Sequence, residues 1–193
     1  MKNFKSTFEK YPTTDKHKYA DFYQQYIGHL NPKLLLEIGV YKGDSLRAWK
    51  ELFPDTQIIG IDIDEKVPQA NPDLNVFVGD QLDKSFLDYV INYVGIPDII
   101  IDDGGHTRTQ QVTSFRHLFP KLSSGNLYVI EDLETTYMQD YNDSSFSTMQ
   151  MLASMLTPTN FDGNTKGRKV GDHFDFPYST MIFEQNICLI KKI

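Results

Sequence analysis

The sequence predicts an α/β fold: a seven-stranded, mostly parallel sheet with helices on both faces, ending in an antiparallel hairpin. Three observations predict it. Short apolar runs at Leu34–Ile38, 57–63, Val76–Val78, 97–102 and 127–132 alternate with segments of helical period, the pattern of strands joined by crossover helices. The first two runs are linked by a turn bearing Gly39 and Gly43 that opens a helix at Asp44 and Ser45. The chain closes in STMIF and ICLI around Glu184-Gln185-Asn186, which reads as a hairpin.

In chain order, residues 1–12 show no period and read as an extended arm. From Thr14 onward Tyr19, Phe22, Tyr23, Tyr26, Ile27 and Leu30 fall on one helical face, so a helix capped by Thr14 or Asp15 is expected up to Asn31-Pro32. Asp15, Lys16 and His17 read as its cap and solvated charges, or as the lip of a cleft. After the first strand and the glycine turn, Ala48, Leu52 and Phe53 continue a buried helical face that Pro54-Asp55 ends. The segment EKVPQANPDLN, with two prolines and no period, reads as a loop or a short irregular turn. Phe86, Leu87, Val90 and Ile91 mark the next helix, stopped by Gly95 and Pro97, and Val112, Phe115, Leu118 and Phe119 the one after strand four. Residues 133–146, polar with aromatics, read as an active-site loop. Phe146, Met149, Leu152, Met155 and Leu156 give a last helix, and 157–173 a second loop. The 193 residues suit one domain: an N-terminal arm and helix over 1–30, a binding core over 33–132, active-site loops and a helix over 133–177, and the hairpin over 178–193.

Composition narrows the function classes. Hydrophobic and charged shares of 40% and 23% are ordinary for a globular chain. A net charge of −7 without a Lys/Arg cluster argues against nucleic acid as a partner. No stretch approaches the ~18 apolar residues of a membrane span, and the N-terminus lacks the apolar core of a signal peptide. With Cys188 the single cysteine, no internal disulfide is possible, which fits a reducing cytoplasm. The expected partner is a small molecule.

The strand, glycine turn, helix and second strand closed by Asp62 form a cradle for an adenosine-containing cofactor, with the acid placed to hold ribose hydroxyls. The spacing is G-x-x-x-G, not the G-x-G-x-x-G of a diphosphate-binding turn, and Tyr41 and Lys42 stand where glycine would be needed. Glu37 just before the turn suits a cationic ligand group better than a diphosphate. With E-x-G-x-x-x-G followed by I-G-I-D, the segment resembles the motif of class I S-adenosylmethionine-dependent methyltransferases, and the resemblance implies a cofactor with a sulfonium and an amino group but no phosphate. The candidate cofactor-contacting residues are Glu37, Gly39, Tyr41, Gly43, Ser45, Asp62, Asp80, Gln81 and Asp102.

Every one of the five parallel strands ends at or near a carboxylate, where ligands of open parallel sheets bind. Strands four and five should be neighbours, which would gather Asp103, Glu131 and Asp132. Like charges at short range need a cation or a proton, and a hard divalent ion such as magnesium with oxygen ligands supplies the first. Consecutive strand residues face opposite ways, so Glu131 and Asp132 can share an ion only if the strand turns there. His106, three residues after Asp103, can accept a proton near neutral pH and is the candidate general base, with Asp103 beside it as the second catalytic residue. His17, His29, His117 and His173 read as structural.

The segments TDKHKY, LEIGVYKGDSLRAWKELFP, IIGIDID, IIDDGGH, SFRHLFPKL and GNLYVIEDLETTY resemble the metal-dependent macrolide sugar O-methyltransferases, within the class I S-adenosylmethionine-dependent methyltransferases. The resemblance implies a Rossmann-like class I methyltransferase fold, Asp103, Glu131 and Asp132 as Mg2+ ligands, His106 as base, and cofactor contacts from Glu37, Asp62 and Asp80. It implies a sugar or glycosylated small molecule as acceptor and leaves a homo-oligomer open. Gly105 departs from the serine usual in that family. Three alternatives stay open: a catalytically silent cofactor-binding protein, a methyltransferase of a phenol, phosphate-type or carboxylate oxygen, and an NAD-linked oxidoreductase.

Overall fold

The computed structural model describes residues 2–159 and 176–193; the second expected loop lies almost wholly outside them, as does His173. The sheet comprises β1 (Leu34–Ile38), β2 (Gln57–Asp62), β3 (Val76–Val78), β4 (Ile99–Asp102), β5 (Leu127–Ile130), β6 (Tyr178–Glu184) and β7 (Ile187–Lys192). Their order is β3-β2-β1-β4-β5-β7-β6. The first five strands are parallel, and β7 joins β5 and β6 antiparallel, so the hairpin lies where the sequence puts it. The alternation of side chains along each strand divides the core in two. Leu36, Ile38, Ile100, Tyr128 and Ile130 pack on one face with α5 (Lys84–Val94), α6 (Arg108–Leu118) and α7 (Thr148–Thr159). Leu35, Ile99, Ile101, Leu127 and Val129 pack on the other with α2 (Ala20–Tyr26) and α3 (Asp44–Leu52).

Three local expectations are corrected. Residues 1–12 are not an extended arm: Phe4–Phe8 is a one-turn helix, α1, whose Phe4 and Phe8 are fully buried. Five residues are too few to show a period, but Phe4 and Phe8, one turn apart, meet Trp49 edge-on at 6.2 and 5.1 Å. The helix expected from Thr14 begins as a 3-10 turn, Lys16–Tyr19, before α2, and Asp15 makes no capping bond with its side chain. Its carboxylate holds Lys18 Nζ at 2.6 Å instead. Within EKVPQANPDLN, Lys66–Ala70 forms a short helix, α4, that tolerates Pro68 because its amide lies in the first turns, where no intrahelical acceptor exists. The loop after β5 contains two 3-10 turns, Leu133–Tyr137 and Gln139–Tyr141. No helix among the described residues is long and apolar enough to cross a membrane.

Cys188 lies in β7 with no exposure, and burial pushes its thiol well above the ordinary range. A thiol-specific chromogenic reagent is expected to leave the native protein unlabelled and to titrate one thiol after denaturation; labelling at equal rates in both states would contradict this packing.

Candidate active site

A cavity of about 950 Å³ opens at the carboxyl ends of β1 to β4. Its wall includes Gly39, Tyr41, Ser45, Asp62, Asp80 and Gln81 from the expected cofactor set, together with Asp15, Asp103, His106 and Asp132. Gly43 stands behind the wall as the N-cap of α3 with φ +86°, where a Cβ would come within 2.6 Å of Leu74. Asp62 is fixed by the turn it faces: Oδ2 accepts from the Val40 and Tyr41 amides, both at 2.9 Å, and Oδ1 from the Asp64 amide at 2.9 Å. A carboxylate held by backbone donors keeps one orientation and still has lone pairs for hydroxyls.

Two residues of that set are elsewhere. Glu37 is fully buried beneath the turn, where Trp49 Nε1 donates to Oε2 and Lys16 Nζ lies 3.6 Å from Oε1, and it does not line the cavity. Burial raises its carboxyl above the usual range, with Lys16 opposing. Asp102 is also fully buried and points to the other face of the sheet, where it accepts from Tyr128 Oη at 2.8 Å, Gln81 Nε2 at 3.2 Å and Ser114 Oγ. The physical reason is the period of two, since Asp102 and Asp103 cannot face the same way. Asp102 acts through Gln81, whose Oε1 accepts from the Gly105 amide at 2.8 Å.

The carboxylates beyond β4 and β5 do converge, in two overlapping groups. Ligand atoms of Asp103, His106 and Asp132 lie within 4.8 Å of one another, and so do those of Asp15, Asp103 and Glu131. Asp132 reaches the first group because β5 has ended at Ile130 and Asp132 itself turns with φ +53°. His106 adopts φ +59°, and its Nε2 sits 3.8 Å from Asp103 Oδ1 and 3.6 Å from Asp132 Oδ2. Thr135 Oγ1 donates to the His106 carbonyl at 3.1 Å, so the residue is held in a conformation that side chains seldom adopt.

The major correction concerns Lys16, which is not a solvated charge. Its side chain is fully buried, and Nζ donates to Asp103 Oδ2 at 2.7 Å and Glu131 Oε1 at 2.9 Å. Burial works against the ammonium, but Asp103, Glu131 and Glu37 outweigh it and hold its pKa well above the ordinary lysine range. Burial pushes Glu131 strongly upward and Asp103 upward, and Lys16 opposes both. Two buried tyrosines also hold the acids: Tyr19 Oη donates to Asp132 Oδ1 at 2.6 Å, and Tyr23 Oη to Glu131 Oε1. A signal for Lys16 was present in the alternation. Glu37, Asp103 and Glu131 share parity with Leu35, Ile101 and Val129 on three adjacent strands, so one sheet face carries three acids, two of them fully buried, and its covering helix must bring a cation.

One ammonium does not balance these carboxylates, and buried Glu131 Oε2 and His106 Nδ1 have no hydrogen-bond partner. The carboxylate oxygens of Asp103, Glu131 and Asp132, with their surplus negative charge and one unsatisfied buried oxygen, fit a hard divalent cation. Outside this cluster, Arg108 pins the loop after β5 by donating from Nη2 to the Thr136 carbonyl at 2.7 Å and from Nη1 to the Ser144 carbonyl at 2.7 Å. Tyr137 and Met138 are left exposed at the loop's edge. The glycine at 105 has a local cause, since a Cβ there would come within 2.1 Å of the Gln110 side chain, which closes the capping box of α6 with Thr107.

No protein-family model matches the chain. It is similar to the 8-demethyl-8-alpha-L-rhamnosyl tetracenomycin-C 2'-O-methyltransferase of Streptomyces olivaceus, 38% identical over 190 residues that cover 91% of this chain and 50% of that protein. It is also 38% identical over 158 residues to the mycinamicin VI 2''-O-methyltransferase of Micromonospora griseorubida, covering 75% of this chain and 38% of the other. Among solved structures, the MycE methyltransferase from the mycinamycin biosynthetic pathway in complex with Mg and SAH superposes with a TM-score of 0.84 at 30% identity, over 98% of this chain and 54% of that one. The chain thus spans half or less of the length of these two curated relatives.

Proposed function

Because this chain has the class I methyltransferase fold and resembles the sugar O-methyltransferases of natural-product biosynthesis, we propose that it is an S-adenosylmethionine-dependent, magnesium-assisted O-methyltransferase. Its acceptor is a hydroxyl of a sugar or glycosylated small molecule. The observation that carries the reading is that one cavity wall joins the Gly39 turn and Asp62 to Asp103, His106 and Asp132. Methyl donor and hydroxyl activation are thereby brought within one ligand's length.

Asp62 holds the ribose hydroxyls, and Asp80 and Gln81 border the adenosine. Asp103, Asp132 and the free Oε2 of Glu131 would hold the divalent ion. When bound, the two groups supply an electrophilic sulfonium methyl and a Lewis acid for the acceptor oxygen. His106 Nε2 takes the hydroxyl proton as the oxygen forms its bond to the methyl carbon. The C–S bond breaks in the same step and its electron pair stays on sulfur. The loop pinned by Arg108 forms the acceptor's edge of the site, with Tyr137 and Met138 offering apolar contact.

Calorimetric titration of the full chain tests this reading. S-adenosylhomocysteine is expected to bind, and an acceptor screen with tritiated S-adenosylmethionine to label sugar-bearing natural products. Absence of cofactor heat would overturn it; transfer confined to phenols or carboxylates would overturn the acceptor class alone.

A further inference from the structure

Lys16, Tyr19 and Tyr23 lie three and four residues apart on the face of one helical segment, and that face touches all three candidate metal ligands. Lys16 Nζ holds Asp103 Oδ2 and Glu131 Oε1, Tyr19 holds Asp132 Oδ1, and Tyr23 holds Glu131 Oε1. The ammonium therefore lies at the inner group, Asp15, Asp103 and Glu131, while the outer group of Asp103, His106 and Asp132 faces the cavity.

We propose that Lys16 is a resident cation of the site: it holds Asp103 and Glu131 in their positions whether or not metal is bound, and by occupying Asp103 Oδ2 and Glu131 Oε1 it leaves a divalent ion only their other oxygens and Asp132, weakening its hold. Lys16 is thus a positioning residue, and the inference rests on the magnesium reading above. Its two effects have opposite signs. For the metal-free fold the ammonium is needed, because without it the buried acids Glu131 and Glu37, and the partly buried Asp103, lack their counter-charge. For metal binding it is a competitor, because a positive charge in contact with two of the ligands repels an arriving cation and occupies their oxygens. A side chain with a merely structural role would, when removed, lower both fold stability and metal affinity.

The test is magnesium titration by calorimetry and thermal melting in EDTA, on the full chain and on Lys16→Met, Lys16→Gln and Lys16→Arg. The neutral variants are expected to melt lower than the wild type in EDTA, yet to bind magnesium at least about tenfold more tightly. Lys16→Arg, which keeps the charge, is expected to bind no more tightly than the wild type. If Lys16→Met does not fold, the glutamine variant, which keeps a donor without the charge, carries the comparison. Magnesium affinity that is equal or weaker in the neutral variants overturns the inference and leaves the metal reading standing. Binding to the neutral variants but not to the wild type supports the inference and overturns magnesium as the wild-type ion. No binding to any of the four proteins overturns both.

Discussion

His106→Ala is expected to lower kcat for methyl transfer by about 10²–10⁴-fold, the usual contribution of a positioned general base, with little change in S-adenosylhomocysteine affinity. The expectation rests on geometry. Nε2 faces the two acids of the outer group at 3.6 and 3.8 Å, and the residue is held at φ +59° by the chain around it. The measurement is steady-state transfer from S-adenosylmethionine to a sugar-bearing acceptor at saturating magnesium, with cofactor affinity determined separately by calorimetry. His106→Gln, which keeps a polar side chain but cannot take up the proton, is expected to lose as much. A loss below about tenfold would assign proton removal to another group, and Asp132, which shares the cavity wall, would be examined first.

Much of the architecture was legible because it depends on patterns that a parallel sheet cannot avoid. Strands buried on both faces read as continuous apolar runs, and β1 and β4 do so but for Glu37 and Asp102. Element ends were less legible, since β4 and β5 are shorter than their apolar runs and Glu131 and Asp132 have already left the ladder. The N-terminal segment was read least well. Its residues bury Phe4, Phe8 and Lys16, yet a one-turn helix followed by a 3-10 turn leaves no stretch long enough to show a period. Lysine is rarely buried unpaired, so a charged residue before a helix reads as solvated until three acids on one sheet face are seen to need it. Glu37 and Asp102 show the same difficulty from the other side. Both stand at a strand end beside the cavity, as a cofactor ligand would, and both are turned inward, Glu37 to hold Trp49 in the core and Asp102 to hold Gln81 in the cavity wall.

Gly39 joins the two halves of the site, and Gly39→Ala is the most damaging single-methyl change expected in the chain. The first requirement at this position is its φ of +91°, which a side chain adopts at a cost of about 1–3 kcal/mol. The second is space, because a Cβ would lie 2.0 Å from the Asp103 carbonyl oxygen and 2.9 Å from Gly104 Cα. Neither neighbour is a side-chain tip that can rotate away. The glycine of the candidate cofactor turn is therefore required as much by the backbone of Asp103, a proposed metal ligand, as by a cofactor, since Asp103 N also bonds the Ile38 carbonyl at 2.9 Å. The substitution is expected to cost about 4 kcal/mol or more in urea unfolding. In whatever fraction still folds, both S-adenosylhomocysteine and magnesium affinities should fall, because moving β4 away from the turn moves Asp103 with it. A change acting on the turn alone would weaken cofactor binding and leave magnesium untouched. Unfolding costs below about 1 kcal/mol with magnesium affinity intact would mean that the turn yields without displacing Asp103, and that the two halves are not mechanically joined there.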